Sequence, residues 1–268
     1  MRDDRLTPRQ WASVRLERLE DRLEDLSISR VIPSALTLLG LCAGATSIRF
    51  ALTGDWRPAV AAIFCAMLFD MLDGRAARLL GADSRFGVQL DSLADLVSFG
   101  VAPAVLVYTW SLSQMGGAGW IAALIFCACS ALRLARFNIE ASRDEGASQS
   151  HPYFTGLPTP AAACIMLLPL LLNFEFAADF VRLPAISLSL VGITSVLMVS
   201  RVPTPSLKYI KLDQHAKFAA WVLGLALIPA MVFVPWTTLL FGLAVYLGAI
   251  PFGLHAANEE DAEEQPTK

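Results

Sequence analysis

Charged residues are scarce in this chain, and they are confined to a few places. Asp, Glu, Lys and Arg make up 17% of the 268 residues, whereas a soluble globular domain carries about 25%. Hydrophobic residues reach 55%, and the mean hydropathy is +0.54. The charges that are present lie in the two tails and in short clusters. This pattern excludes a soluble domain folded around one large core and indicates a polytopic membrane protein.

Metal sites built from cysteine and histidine are also missing from the sequence. None of the five cysteines forms a CxxC pair, and none has a histidine at zinc-ligand spacing. All five lie in apolar segments, so we interpret them as small buried apolar residues. They are Cys42, Cys65, Cys127, Cys129 and Cys164.

Long apolar segments, by contrast, follow one another along the chain. Several approach the ~20 residues that a helix needs to cross about 30 Å of hydrocarbon. The eight segments cover residues 32–52, 58–80, 90–110, 118–137, 159–174, 183–200, 215–233 and 235–254. The last two form either a hairpin interrupted at Pro235 or one re-entrant unit. We therefore predict an all-α polytopic membrane protein with about eight transmembrane helices.

The two ends of the chain differ from this apolar middle. Leucines recur at 3-4-3 spacing within residues 7–29, which predicts an amphipathic helix in a cytoplasmic segment, 1–30. That helix lies in the headgroup plane or makes a short coiled-coil contact with a partner chain. Residues 256–268 are acidic and lack large apolar side chains, so we expect a disordered tail. The membrane domain then covers residues 31–255.

Lys and Arg are distributed unevenly between the two sides of these spans. The connections on the side of the two tails carry nearly all of them, and the opposite side has Arg57 and Arg182. By the positive-inside rule, both termini are cytoplasmic. We expect a multi-pass protein of a bacterial cytoplasmic membrane.

Four aspartates interrupt the apolar sequence within a short stretch. Asp70 and Asp73 share one helical face, and Asp91 and Asp95 share a face of the next helix. An ionisable group at bilayer depth costs roughly 2.5–3.5 kcal/mol, so these side chains must face one another, a cavity or a cation. A tight helical hairpin would bring all four carboxylates together.

Oxygen ligands of this kind suit Mg²⁺ or Mn²⁺. Two divalent ions would offset the four negative charges, and paired metals clamp the oxygens of a transferring phosphoryl group. Nearby Arg78 has the planar donor geometry that fits a phosphate, and one carboxylate could serve as a base toward an attacking hydroxyl. Gly74 and Gly87 would allow a close approach of backbone or ligand.

The spacing D-x2-D-G-x2-A-R-x8-G-x3-D-x3-D resembles the signature of the CDP-alcohol phosphotransferases. The matching positions are Asp70, Asp73, Gly74, Ala77, Arg78, Gly87, Asp91 and Asp95. The resemblance implies a six-helix catalytic core, a homodimer, and a CDP site on the cytoplasmic side. It implies that two divalent cations, Mg²⁺ or Mn²⁺, are held by Asp70, Asp73, Asp91 and Asp95, with Asp95 also the base. It implies CDP contacts at Thr37, Gly74, Ala77, Arg78, Ser84 and Gly87.

Within that family, three stretches resemble the membrane-integral phosphatidylserine synthases. They cover residues 90–104, 132–138 and 154–161. The resemblance implies transfer of a phosphatidyl group from CDP-diacylglycerol to L-serine. The partners that it implies are these two substrates and membrane lipids, with no nucleic acid.

Basic residues near one helix end supply candidates for the acceptor site. Arg133 and Arg136 are three residues apart and share a face, and Asn138 follows them. They either bind the serine carboxylate or the lipid phosphate, or the arginines anchor the helix end to lipid phosphates.

Two other functions compete with transfer to serine. The same chemistry could use another acceptor, glycerol 3-phosphate or an inositol phosphate. Intramembrane carboxylates also mark ion pathways, so a cation transporter is the alternative from a different class. The clustering of the acids on one helical pair, followed by Arg78, favours a transferase. Because no motif residue is missing, an inactive scaffold is disfavoured.

Overall fold

The computed structural model describes residues 28–82, 84–144, 154–200, 203–204, 230, 233–245 and 248. The predicted N-terminal amphipathic helix, the acidic tail and nearly all of the span predicted at 215–233 lie outside these residues. The domain boundaries at 30 and 255 therefore stay predictions.

The described chain is almost entirely helical. Its helices are α1 (Ile28–Thr53), α2 (Trp56–Leu80), α3 (Arg85–Asp95), α4 (Ala102–Trp110), α5 (Gly117–Asp144), α6 (Thr159–Phe176), α7 (Pro184–Val199) and α8 (Pro235–Val245). Short 3-10 turns cover Leu112–Met115 and Asp179–Arg182. One antiparallel pairing of two residues each, which the sequence analysis did not predict, joins Phe154–Thr155 to Pro203–Thr204.

Several of these helices have the length and composition of membrane spans. Among the described residues, four stretches qualify: Val31–Thr53, Arg85–Trp110, Gly117–Glu140 and Thr159–Phe176. Helix α2 is 25 residues long but contains Asp70 and Asp73, and it is not among these four stretches. Helices α7 and α8 are shorter apolar helices. The polytopic helical architecture is thereby confirmed, whereas the count of eight spans stays a prediction.

Helix α1 is the element around which the site end of the bundle is arranged. It pairs with α2 along its length and also packs against α3 and α4. Helices α2 and α3, although joined by a short turn, make few backbone contacts with each other. The hairpin is therefore held largely by α1, which packs against both of its helices.

A π-helical turn, Leu96–Val101, follows Asp95 and connects α3 to α4 without a break. Its Ser98 Oγ donates a hydrogen bond to the Gly40 carbonyl of α1 at 3.2 Å. A Cβ atom on Gly44 would overlap the Ser98 side chain, so glycine is what permits this approach. Short π-helical segments often occur at functional sites. Here the segment holds the end of α3 against the core.

The cysteines divide into two groups. Cys127, Cys129 and Cys164 are partly buried, but Cys42 and Cys65 are exposed on the protein surface. The prediction that all five are buried is wrong for these two. A membrane-spanning surface faces lipid tails, which are as apolar as a protein core, so a small apolar side chain is tolerated there without burial.

Candidate active site

A short turn brings the two acidic helices to the same end of the bundle. Helix α2 ends at Leu80 and is capped by Gly81, whose φ of 58° is left-handed and suits glycine. Helix α3 begins at Arg85 after the N-cap Ser84, whose Oγ accepts a hydrogen bond from the Gly87 N–H at 3.0 Å. Such an N-cap stabilises a helix start by about 1 kcal/mol. The local sequence thus determines where α3 begins.

Three of the four motif aspartates meet in one group, here called the acidic cluster: Asp70, Asp91 and Asp95. One carboxylate oxygen from each lies within 4.8 Å of the others. The predicted meeting of the two helical faces is confirmed for these three side chains. The fourth, Asp73, does not belong to this group.

Asp73 lies beside the acidic cluster and faces another space. The residue is only 5% exposed, and within the part of the chain that the structure describes its Oδ2 atom has no hydrogen-bond partner. It lines a cavity together with Asp91. Asp91 therefore belongs both to the acidic cluster and to the cavity wall.

The acidic cluster and Asp73 fit divalent cations. Carboxylates about 4 Å apart repel by roughly 4 kcal/mol at an effective dielectric constant of ~20, so such a group needs a positive partner. The Arg133 guanidinium attracts Asp95 electrostatically and offsets part of this charge. The donors are hard oxygens, which suit Mg²⁺ or Mn²⁺ better than zinc. The buried Oδ2 of Asp73 is a further oxygen suited to such a ligand.

The cavity has a volume of about 210 Å³ and opens between α1, α2 and α3. Its walls include all six residues expected to contact CDP, in addition to Asp73 and Asp91. The full lining is Pro33, Ser34, Thr37, Asp73, Gly74, Ala77, Arg78, Ala82, Ser84, Gly87, Val88 and Asp91. The structure thus brings these predicted residues together, and their binding of CDP stays a prediction.

Individual side chains in the cavity are oriented by their own helices. The Arg78 Nε donates a hydrogen bond to the Gly74 carbonyl at 3.0 Å, and the Thr37 Oγ1 donates one to the Pro33 carbonyl at 3.0 Å. A Cβ atom on Gly74 would meet nothing within 4 Å. Gly74 therefore widens the cavity instead of allowing two helices to touch.

The predicted acceptor residues contact three other helices. The Arg133 Nη1 donates a hydrogen bond to the Thr159 Oγ1 of α6 at 2.7 Å, and the Arg136 Nη1 donates one to the Val199 carbonyl at 3.1 Å. The Asn138 Oδ1 accepts one from the Ser92 Oγ of α3 at 3.0 Å. Sequence reasoning gave no function to Thr159 or Ser92; their positions inside the stretches 154–161 and 90–104 are the only signal.

The residues of this site lie in a part of the chain that is similar to a known protein family. Residues 30–200 match the sequence model of a family described as CDP-alcohol phosphatidyltransferase. The chain belongs to this family. The match covers α1 through α7 except for the first residues of α1, and it includes the acidic cluster, the cavity and the Arg133–Asn138 segment.

Individual proteins are also similar to this chain. A Mycobacterium leprae protein named CDP-diacylglycerol–serine O-phosphatidyltransferase is 41% identical over 229 residues, which are 84% of this chain and 75% of that protein. A Helicobacter pylori protein of the same name is 35% identical over 182 residues, covering 68% of this chain and 74% of its own. The solved structure of Mycobacterium tuberculosis phosphatidylinositol phosphate synthase, in complex with manganese and citrate, is 22% identical. It covers 62% of this chain and 78% of its own, with a TM-score of 0.45.

Proposed function

We propose that the chain transfers the phosphatidyl group of CDP-diacylglycerol to the hydroxyl of L-serine, giving phosphatidylserine and CMP. The observation that carries the proposal is the acidic cluster beside a cavity lined by six of the eight positions of the family motif. The choice of serine is supported by relatives at 35% and 41% identity that are named for this reaction.

The cavity offers two groups suited to the diphosphate of the donor. The N-terminus of α3 reaches the cavity through Ser84, Gly87 and Val88. A helix N-terminus carries partial positive charge and exposed N–H groups, which favour phosphate. Arg78, whose Nε is directed to the Gly74 carbonyl, keeps its two terminal nitrogens for a phosphate oxygen. The CDP end of the donor would therefore lie in the cavity and its acyl chains toward lipid.

The aspartates would supply the chemistry of transfer. Asp70, Asp73, Asp91 and Asp95 are the residues that would hold two divalent cations, which when bound stabilise negative charge on the phosphates. Asp95 would take the proton of the serine hydroxyl while the serine oxygen bonds to the phosphorus next to diacylglycerol. The bond from that phosphorus to the CMP oxygen breaks, and CMP leaves with the electron pair.

Two arginines are proposed for the acceptor side. Arg133 is the stronger candidate because it lies near enough to Asp95 to attract it. Arg136 is held at the end of α7 by the Val199 carbonyl. Either guanidinium would bind the serine carboxylate or the lipid phosphate by paired hydrogen bonds.

The proposal includes an orientation and an assembly. The active site and both termini would face the cytoplasm of a bacterial cell, where a CDP-linked donor and water-soluble serine can both arrive. The protein would be a homodimer, as in the family it resembles. The positive-inside distribution of Lys and Arg supports this orientation.

Release of CMP by the purified full chain in lipid vesicles tests the proposal. We expect release that depends on CDP-diacylglycerol, on L-serine and on Mg²⁺ or Mn²⁺, and that stops on chelation with EDTA. Release with glycerol 3-phosphate or an inositol phosphate, but not with serine, would overturn the acceptor and leave the transfer reaction standing. Cation uptake into the vesicles without CMP release would instead favour the transporter.

A further inference from the structure

Helix α3 carries two of the motif aspartates but has little apolar packing to orient it. It has 11 residues, and Ala94 is its only buried residue. Its large apolar side chains Phe86 and Leu93 are 71% and 63% exposed. Apolar packing of α3 itself therefore determines its rotation about its own axis only weakly. The π-helical turn holds its C-terminal end, and polar contacts must act along the rest of the helix.

One such contact joins α3 to α5. Ser92 directly follows Asp91, and successive helical residues are about 100° apart around the axis. Its side chain therefore leaves α3 on a different side from that of Asp91. The Ser92 Oγ donates a hydrogen bond to the Asn138 Oδ1 at 3.0 Å, and the two residues are 46 positions apart.

We propose that Ser92 and Asn138 are positioning residues: their hydrogen bond sets the rotation of α3 and thereby holds Asp91 and Asp95 against Asp70. Asn138 then acts on the reaction through α3 and does not bind the acceptor. Of the three acceptor candidates, this leaves Arg133 and Arg136.

The geometry shows why a small rotation matters. A helix with its side chains has a radius of about 5–6 Å, so a rotation of ~10° moves a carboxylate by about 1 Å. Misplacement by about 1 Å can cost on the order of 100-fold in rate. Because the rotation moves Asp91 and Asp95 together, its effect falls on kcat and only weakly on the affinity for serine.

A double-mutant cycle tests this inference, which rests on the proposed function for its activity measurement. The variants are Ser92→Ala, Asn138→Ala and the double substitution, each assayed for CMP release against serine concentration in the full chain. We expect each single variant to lower kcat by about 10-fold or more, with the KM for serine within about 2-fold. The double variant should be no slower than the slower single variant, because one bond is lost in all three.

Two further variants separate this role from general damage. Ser92→Thr keeps the hydroxyl and should retain most of the activity. Ser189→Ala is the matched control, since that exposed serine bonds to the Ala185 carbonyl of its own helix α7, and its kcat should not change. A raised serine KM in Asn138→Ala, with an active Ser92→Ala, would overturn the proposal and assign Asn138 to the acceptor. Losses that simply add in the double variant would also overturn it.

A measurement that needs no turnover keeps the inference separate from the proposed function. In the variant carrying Ser92→Cys and Asn138→Cys, mild oxidation should form a disulfide between α3 and α5, detected by mass spectrometry of the digested chain. Absence of that cross-link would contradict the contact itself. If CMP release requires an acceptor other than serine, the serine assignment fails, and the same cycle run with that acceptor still decides the role of Ser92 and Asn138.

Discussion

The two ends of the helical bundle differ in how their charged side chains are balanced. At one end, Asp70, Asp91 and Asp95 gather their carboxylates within 4.8 Å. At the other, Arg182 donates a hydrogen bond from its Nε to the Trp110 carbonyl at 3.2 Å and lies 5.9 Å from the centroid of the Trp110 ring. At a rise of about 1.5 Å per residue, Arg57 lies about 20 Å along α2 from Asp70, so it also belongs to this other end.

The end of the bundle opposite the acidic cluster, here called the far end, is stabilised by contacts between side chains of different helices. The Arg57 guanidinium lies 5.8 Å from the centroid of the Phe174 ring, and Phe174 packs edge-on against Trp236 with centroids 5.0 Å apart. The Thr237 Oγ1 donates a hydrogen bond to the Glu175 carboxylate at 2.9 Å. These contacts connect α2, α6 and α8.

The difference distinguishes a structural end from a functional one. Charges that are matched by rings and carbonyls stabilise the fold and leave little for a ligand. Carboxylates that are gathered together instead lower stability until a cation or substrate balances them. Substitutions at the acidic end should therefore affect activity, and substitutions at the far end should affect stability.

The largest effect is expected for Asp95→Asn. Loss of the base should lower kcat by about 10²–10⁴-fold, while CDP-diacylglycerol binding is largely retained. CMP release and binding of CDP-diacylglycerol to the purified chain measure the two quantities. Asp179→Asn, at the far end, is the matched control and should keep full activity; an active Asp95→Asn enzyme would refute the role as base.

A smaller effect is expected for Arg78→Lys, which keeps the charge but removes the forked donor. We expect kcat/KM for CDP-diacylglycerol to fall by about 10-fold or more, because lysine lacks the planar fork that directs two parallel N–H donors at a phosphate. Arg75, an exposed arginine of the same helix outside the cavity lining, supplies the control. Equal losses in Arg75→Lys and Arg78→Lys would show that only general positive charge matters.

A pair of glycines provides the sharpest test of the contrast between stability and activity. Gly44→Ala should destabilise the fold by about 1–3 kcal/mol, because its Cβ would overlap Ser98. Gly74→Ala should leave the unfolding midpoint unchanged or slightly raised, since its Cβ meets nothing within 4 Å. The same Cβ narrows the cavity, so we expect a KM for CDP-diacylglycerol raised several-fold. Thermal unfolding and CMP-release kinetics on both variants measure the contrast, and a destabilised Gly74→Ala variant would contradict it.

The smallest effect on activity is expected at the far end. Arg182→Met removes a hydrogen bond and a cation–π contact and should lower the free energy of unfolding by about 1–2 kcal/mol. The kinetics of CMP release, measured below the unfolding transition, should stay as in the unsubstituted chain. A fall in kcat without a fall in stability would mean that the two ends are coupled.

Much of the site could be predicted because it depends on residues that are close to one another in the sequence. Gly81 and Ser84 flank a turn whose chemistry is readable from the residues themselves. The cavity between α1, α2 and α3 could not be predicted, since nothing in the periodicity of α2 or α3 shows that α1 packs against both. The π-helical turn was not predicted either, and the contact that it makes, from Ser98 to the Gly40 carbonyl, joins two different helices.

The sequence by itself determined that the chain is a membrane protein and which aspartates share a helical face. Apolar length and a periodicity of 3.6 residues act within one helix, whatever surrounds it. Only the tertiary structure decided that Asp70 meets Asp91 and Asp95 while Asp73 faces the cavity, and that Asn138 meets Ser92. Distances between side chains of different helices depend on crossing angle and axial rotation, and these result from the packing of the whole bundle.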